Sequence, residues 1–142
     1  MTFKYLILFF TVIIIETVNA AELTIEPRNG SNGVIRDGDI IATGRVSCTE
    51  NDTVVDAWMD DAIIGMNTYI IKGKRNSTNE LIVRLEGDGW SFNRKESRGI
   101  TKFQPSKIEL FNVVADGNQK LKADTYTITV NSSCLLSENI ER

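Results

Sequence analysis

The stretch that decides the fold is Asp124–Arg142, DTYTITVNSSCLLSENIER. Tyr126, Ile128 and Val130 alternate with Thr125, Thr127 and Thr129, and the same parity carries on to Cys134 and Leu136. Strict alternation of this kind is what a strand with one buried face requires. Only the short polar segment Ser137–Arg142 follows Leu136. A long strand therefore closes the apolar part of the sequence, and it lacks a successor to pair along its free edge.

Working back from that strand, the same period of two recurs. Leu23 and Ile25 alternate with Glu22, Thr24 and Glu26 until Pro27 stops the run. Ile40, Ala42, Gly44, Val46 and Cys48 share one face, and Leu81, Val83 and Leu85 another. Apolar runs at Val54–Met59, Ile63–Ile71 and Ile108–Ala115 fit strands by composition, with weaker alternation. Asn29-Gly30, Asp37-Gly38, Gly87-Asp88-Gly89 and Asp116-Gly117-Asn118 supply turns, because these residues accept positive φ at low cost. Ser91–Lys107 is polar and basic and reads as one long loop. Seven strands without a helix or a repeat predict a single all-β domain, most simply a sandwich.

The N-terminus has a different character. Met1–Ala20, MTFKYLILFFTVIIIETVNA, sets one lysine before an apolar run and ends in a small-x-small pattern at Val18 and Ala20. That is the layout of a secretory signal peptide, with cleavage after Ala20 and a mature domain over residues 21–142. Export places Cys48 and Cys134, the two cysteines of the chain, in an oxidising compartment and predicts that they pair. In the chain-entropy model, closing so long a loop contributes about 4 kcal/mol.

Composition narrows the function. The net charge of −3 argues against nucleic acid as a partner, since such binding needs a basic field. The absence of histidine removes Ser-His and Cys-His couples and most zinc-hydrolase sites. Asp60-Asp61 point to opposite faces if extended and read as a solvated turn, not as the paired carboxylates of a glycosidase. Gly87-Asp88-Gly89 lacks the Gly-Lys-Ser/Thr ending of a phosphate loop. The expectation is a protein that is not an enzyme and has no cofactor and no metal. Lys72, Lys74 and Arg75, with Arg94, Lys95, Arg98, Lys102 and Lys107, concentrate positive charge in two loops, where a solvated surface is the simpler reading than an anionic partner. Arg36-Asp37-Gly38 is read as a turn, and the sequons at Asn29, Asn51, Asn76 and Asn131 would carry glycans in a eukaryotic secretory protein and be incidental in a bacterial one.

Cys48, Trp58 and Cys134 occur in the order of an immunoglobulin-type domain, in which a disulfide joins the sheets and a tryptophan packs on it. Trp58 is therefore a candidate core residue. Parity along Val54–Met59 leaves open whether Val54, Asp56 and Trp58 or Val55, Ala57 and Met59 face inward. Asp124 and Tyr126 resemble a tyrosine corner. If Cys134 marks strand F, strand G is missing. The expected remedy is a strand from another chain, laid in a groove between the first strand (Leu23, Ile25) and the last (Tyr126, Ile128, Val130). Cleavage after Ala20 would leave only Ala21 and Glu22 ahead of the first strand. Such a chain accepts a strand without donating one.

The segment from residue 21 to 136 resembles the AfaD/DraD family of invasin-type minor (tip) subunits of Gram-negative chaperone–usher fimbriae. The matching pieces are Ala21-Glu22-Leu23, Arg36-Asp37-Gly38, Ala42-Thr43-Gly44-Arg45, Cys48 and Trp58-Met59. Gly87-Asp88-Gly89-Trp90, Ala115-Asp116-Gly117-Asn118-Gln119, Tyr126 and Cys134 continue the series. The resemblance implies an incomplete immunoglobulin-like sandwich lacking strand G and completed by donor-strand complementation. It implies a periplasmic chaperone, an outer-membrane usher and a neighbouring fimbrial subunit as partners, and a host-cell receptor such as an integrin. Location at the fimbrial tip on the cell surface, with a released form besides, would follow. The receptor-binding residues fall in no segment that the resemblance identifies. The alternative is a free-standing secreted immunoglobulin-like ligand-binding or inhibitor domain, which must complete its core alone.

Overall fold

A computed structural model describes residues 17–25, 33–48 and 54–135. Residues 1–16, the Asn29-Gly30 turn, Asn51 and the segment from Leu136 onward lie outside the described residues. Alternation produces strands wherever it was strict. These are β1 (Thr17–Ile25), β2 (Val34–Ile35), β3 (Ile40–Ser47), β4 (Val54–Trp58), β5 (Ala62–Ile63) and β6 (Thr68–Lys72). They continue with β7 (Glu80–Glu86), β8 (Ser91–Phe92), β9 (Ile100–Phe103), β10 (Ile108–Ala115), β11 (Gln119–Lys120) and β12 (Asp124–Leu135). No helix occurs among the described residues. One sheet runs β1-β12-β4-β9-β8 and a second β3-β10-β7-β6-β5, with a small β11-β2 ribbon beside them. Their inward side chains, among them Val46, Val55, Ile71, Leu81, Val83, Leu85, Phe111, Tyr126 and Ile128, form one continuous core.

The strand count exceeds the sequence expectation in the β2–β11 ribbon and at two further places. Ile63–Ile71 is broken by a turn into β5 and β6, which pair as a hairpin. Ser91–Lys107 is not a single loop: β8 and β9 pair with each other inside it, and β9 extends the first sheet beyond β4. Both are too short to show a period. The turn joining them, residues 93–99, places Ser97 and Gly99 at positive φ. A Cβ on Gly99 would run into the Ala57 carbonyl, so glycine lets this turn lie against β4.

Cys48 and Cys134 form the expected disulfide, with S–S 2.05 Å and Cα–Cα 5.8 Å, closing a separation of 86 residues. The bridge ties the end of β3 in the second sheet to β12 in the first. It also settles the parity of β4. Cys134 lies opposite Val55 in the β12–β4 ladder, and directly opposed residues share a face. Val55, Ala57 and Met59 are accordingly in the core. Trp58 faces the other way, opposite Asn131, and does not pack on the disulfide. That corrects its assignment to the core between the sheets. The Trp58 ring is instead covered by the Arg98 guanidinium, 4.4 Å from its centroid.

Tyr126 carries the features expected of a corner. Its ring is buried and its hydroxyl donates to the Lys122 carbonyl at 2.9 Å. Beside it, the buried Asp124 carboxylate accepts from Arg75 N (2.8 Å), Asn76 N (3.1 Å), Asn79 Nδ2 (2.9 Å) and Thr125 N (2.6 Å). Burial pushes this carboxyl up, but the donors together outweigh it and hold the group well below the usual carboxylate range. Asp124 thus pins the Gly73–Asn79 turn to the start of β12. At the opposite side, Arg84 pairs with Asp37 (2.8 Å), Asp116 (2.9 Å) and Glu86 (2.7 Å), so the Asp37-Gly38 turn is a structural tie.

Candidate docking edge and cavity

Two features of the sandwich are candidates for function: the edge of β12 and a cavity on the far side of β4. The edge follows from the alternation of Tyr126, Ile128 and Val130, all buried and facing the second sheet. Along it, β1 pairs antiparallel with β12 from Thr17↔Ser132 through Leu23↔Tyr126 to Ile25↔Asp124. The expected groove set is thus brought together, but not as the two walls of a cleft. The first and last strands are hydrogen-bonded neighbours, and β1 occupies the place that strand G would take beside F. The physical reason is the same unpaired edge: in a single chain its own N-terminal segment satisfies the backbone groups that would otherwise go unmet.

The register has a further consequence. β1 crosses the expected cleavage point, with Thr17–Ala20 before it and Ala21–Ile25 after it. The upstream part pairs with Thr129–Ser132, the downstream part with Asp124–Ile128.

The cavity was not read from the sequence. It has a volume of about 790 Å³ and lies where β4, β9 and the Gly87–Gly99 segment meet. Outward-facing side chains of the first sheet line it together with Leu85 and Ile100, which belong to the core. Leu135, Val54 and Phe103 stand in one row across β12, β4 and β9, with Asp56 and Thr101 paired in the next row. Asp56, Thr101 and Asn93 are all buried. Thr101 Oγ1 donates to Asp56 Oδ1 at 2.7 Å and the Asn93 side chain bonds the same carboxylate. Burial raises the Asp56 carboxyl above its ordinary range, against these hydrogen bonds. Asn93 also anchors the turn above it, accepting from Glu96 N at its Oδ1 and bonding the Gly99 carbonyl through its own N–H. Trp90 makes a fixed wall, donating Nε1–H to the Leu110 carbonyl at 3.0 Å and meeting Phe111 edge-on. The one signal in the sequence was Asp56 itself, a carboxylate within the apolar run Val54–Met59. No group of acidic and cysteine side chains suited to a metal occurs among the described residues.

These elements, an inward apolar stripe on the last strand, a disulfide between sheets and a G position filled from the N-terminus, match a known class. The sequence model of the enterobacterial AfaD invasin proteins matches residues 31–132. The chain belongs to the AfaD invasin family. It is 35% identical over 122 residues to protein AfaD of Escherichia coli, covering 84% of this chain and 82% of the relative. Protein AggB of Escherichia coli is 32% identical over 122 residues, with 84% of each covered. Among solved structures, the Salmonella SafD adhesin superposes with a TM-score of 0.72 at 25% identity, over 85% of this chain and 86% of that one. A structure concerned with fibronectin binding and biofilm formation by the AAF fimbriae of enteroaggregative Escherichia coli gives 0.70 at 30% identity, over 87% and 89%. An AfaD-family chain is a fimbrial adhesin/invasin subunit of a chaperone–usher system, with the immunoglobulin-like all-β fold seen here. Its place is on fimbriae at the cell surface, and its family is not one of enzymes.

Proposed function

We propose that this subunit sits at the fibre end, receives a donor strand along β12 and presents the rest of its surface to a host-cell receptor. The observation that carries the reading is the β12 edge. Once residues 1–20 are removed, the chain can cover only Asp124–Ile128 with Ala21–Ile25. The rest of β12, which carries the buried Val130 and the cysteine bridge, then needs another strand. A neighbouring fimbrial subunit supplies it, after a periplasmic chaperone has held the edge and an outer-membrane usher has exchanged it. With β1 pairing directly from Ala21, no segment remains free to be donated onward. The receptor is a host protein, with the family resemblance pointing to an integrin and the AAF relative to fibronectin. A released form besides the fimbrial one fits the same export route.

The test is production in the periplasm with and without the cognate chaperone, followed by pull-down on immobilised integrin and fibronectin. Chaperone-dependent yield and retention on one receptor support the reading. A stable monomer made without a chaperone favours the free-standing domain.

A further inference from the structure

We propose that the cavity beneath the Gly87–Gly99 segment is a binding site for a lysine or arginine side chain of a partner protein. Its floor is an anionic group that the fold does not neutralise. Asp56 is only 8% exposed, and the groups that hold it, Thr101 Oγ1 and the Asn93 side chain, are neutral. Arg98 acts on it from a distance, with its guanidinium stacked on Trp58. A carboxylate out of water is costly unless a cation meets it, so the natural complement is a positive charge. A carboxylate has about four lone-pair sites, and these bonds leave it room to accept more donors.

The walls fit what carries such a charge. Val54 and Leu135 offer an apolar path suited to a methylene stem. Trp90, Phe92 and Phe103 line the cavity, and aromatic faces attract ammonium and guanidinium groups. Phe92 and Phe103 are 45% and 60% exposed, so they are reachable from solvent. Arg94 and Lys95 also line the cavity, but they stand on its exposed outer turn, whereas the buried floor carries the carboxylate. An anionic ligand would therefore find its partners only at the mouth. Val54, Asp56, Thr101 and Phe103 line the site from the outer face of the first sheet, and Leu85 and Ile100 of the core line it as well.

The experiment titrates the chain with its cognate donor segment fused after Arg142, purified from the periplasm, with three capped amino acids, and follows backbone amide shifts in NMR. The probes are Nα-acetyl-lysine amide, Nα-acetyl-arginine amide and the neutral Nα-acetyl-norleucine amide. The two cationic probes are expected to shift resonances of β4, β9 and residues 90–96, with norleucine at least tenfold weaker. D56N keeps the shape of the side chain and should weaken the cationic probes at least tenfold while leaving norleucine unchanged. F103A, at an exposed position where folding is not at stake, should weaken all three. Equal binding of norleucine, unchanged binding to D56N, or no shift at these residues with either cation overturns the proposal.

Discussion

Asp124 and Asp56 are both buried in strands of the same sheet, yet they respond to pH in opposite directions. Asp124 is held by three backbone N–H groups and an amide, and hydrogen bonds to the charged form outweigh its burial. Its lowered value means that its stabilisation is present above the unfolded pKa of about 4 and is lost as pH falls below it. Asp56 is raised, chiefly by burial, so its contribution is present below about pH 4 and is lost as pH rises through its folded value. Thermal melts from pH 7 down to about pH 3 should separate them. D124N should melt well below the parent at pH 7, with the gap narrowing in acid, because an asparagine cannot accept all four donors. D56N should melt at or above the parent at pH 7, and its advantage should disappear in acid. A D56N melting well below the parent at neutral pH would mean that the ionised carboxylate is a structural necessity. The sequence pointed to both residues, Asp124 at the corner and Asp56 within an apolar run, but not to their opposite responses, since an aspartate looks the same in a sequence whether donors surround it or only desolvation does.

Strands whose two faces meet different surroundings showed their buried face in the sequence, and those without such contrast did not. β12, β3 and β7 have one buried and one wetter face, so hydrophobicity alternates along them. β4 is buried on both sides, because residues 93–99 fold over its outer face, and the pattern Val54-Val55-Asp56-Ala57 loses its period. β8 and β9 have two and four residues, too few for a period to be seen. The Cys…Trp…Cys order located the sheets but misplaced Trp58, since order along a chain carries no information on which face a side chain takes. Within the second sheet, Gly44 lies opposite Phe111 in the β3–β10 ladder. A Cβ there would land in the Phe111 ring. G44A should therefore cost about 1–3 kcal/mol by overpacking, measured by urea unfolding, and F111L in the same background should recover part of it. An unchanged midpoint would show that the ring moves aside freely. Replacing Cys48 and Cys134 together by alanine should cost about 2–4 kcal/mol, because the closed loop is long. The fold is expected to survive this, as the core packs around the bridge from both sheets.

At the scale of the whole molecule, the decisive quantity is how much of β12 the chain can cover by itself. The full β1 reaches from Asp124 to Ser132, whereas the part after Ala20 reaches only to Ile128. Over four residues of the ladder, Thr129–Ser132, the edge of β12 that faces β1 then has no neighbouring strand of this chain, a rise of about 13 Å along the strand, while Asn131 and Ser132 keep their pairing with β4 on the other side. Free backbone groups over that length, beside buried Val130, invite pairing with any extended segment, and that makes an isolated subunit prone to aggregate. A donor strand that runs antiparallel to β12 can pair Thr129–Leu135 alongside Ala21–Ile25, or it can displace that segment and pair the whole strand. Hydrogen exchange distinguishes the two. In the mature chain, alternate amides of Thr129–Ser132 should exchange quickly and those opposite Ala21–Ile25 more slowly. Fusing the cognate donor segment after Arg142 through a flexible linker should protect the former and raise the melting temperature by several degrees, since an added strand contributes its own burial at roughly 25 cal/mol per Å². If the donor displaces the N-terminal segment, Ala21–Ile25 should lose protection as Thr129–Ser132 gains it. Slow exchange along all of β12 in the unfused mature chain, with no gain on fusion, would mean that the sandwich is already closed and that the subunit needs no neighbour to complete it.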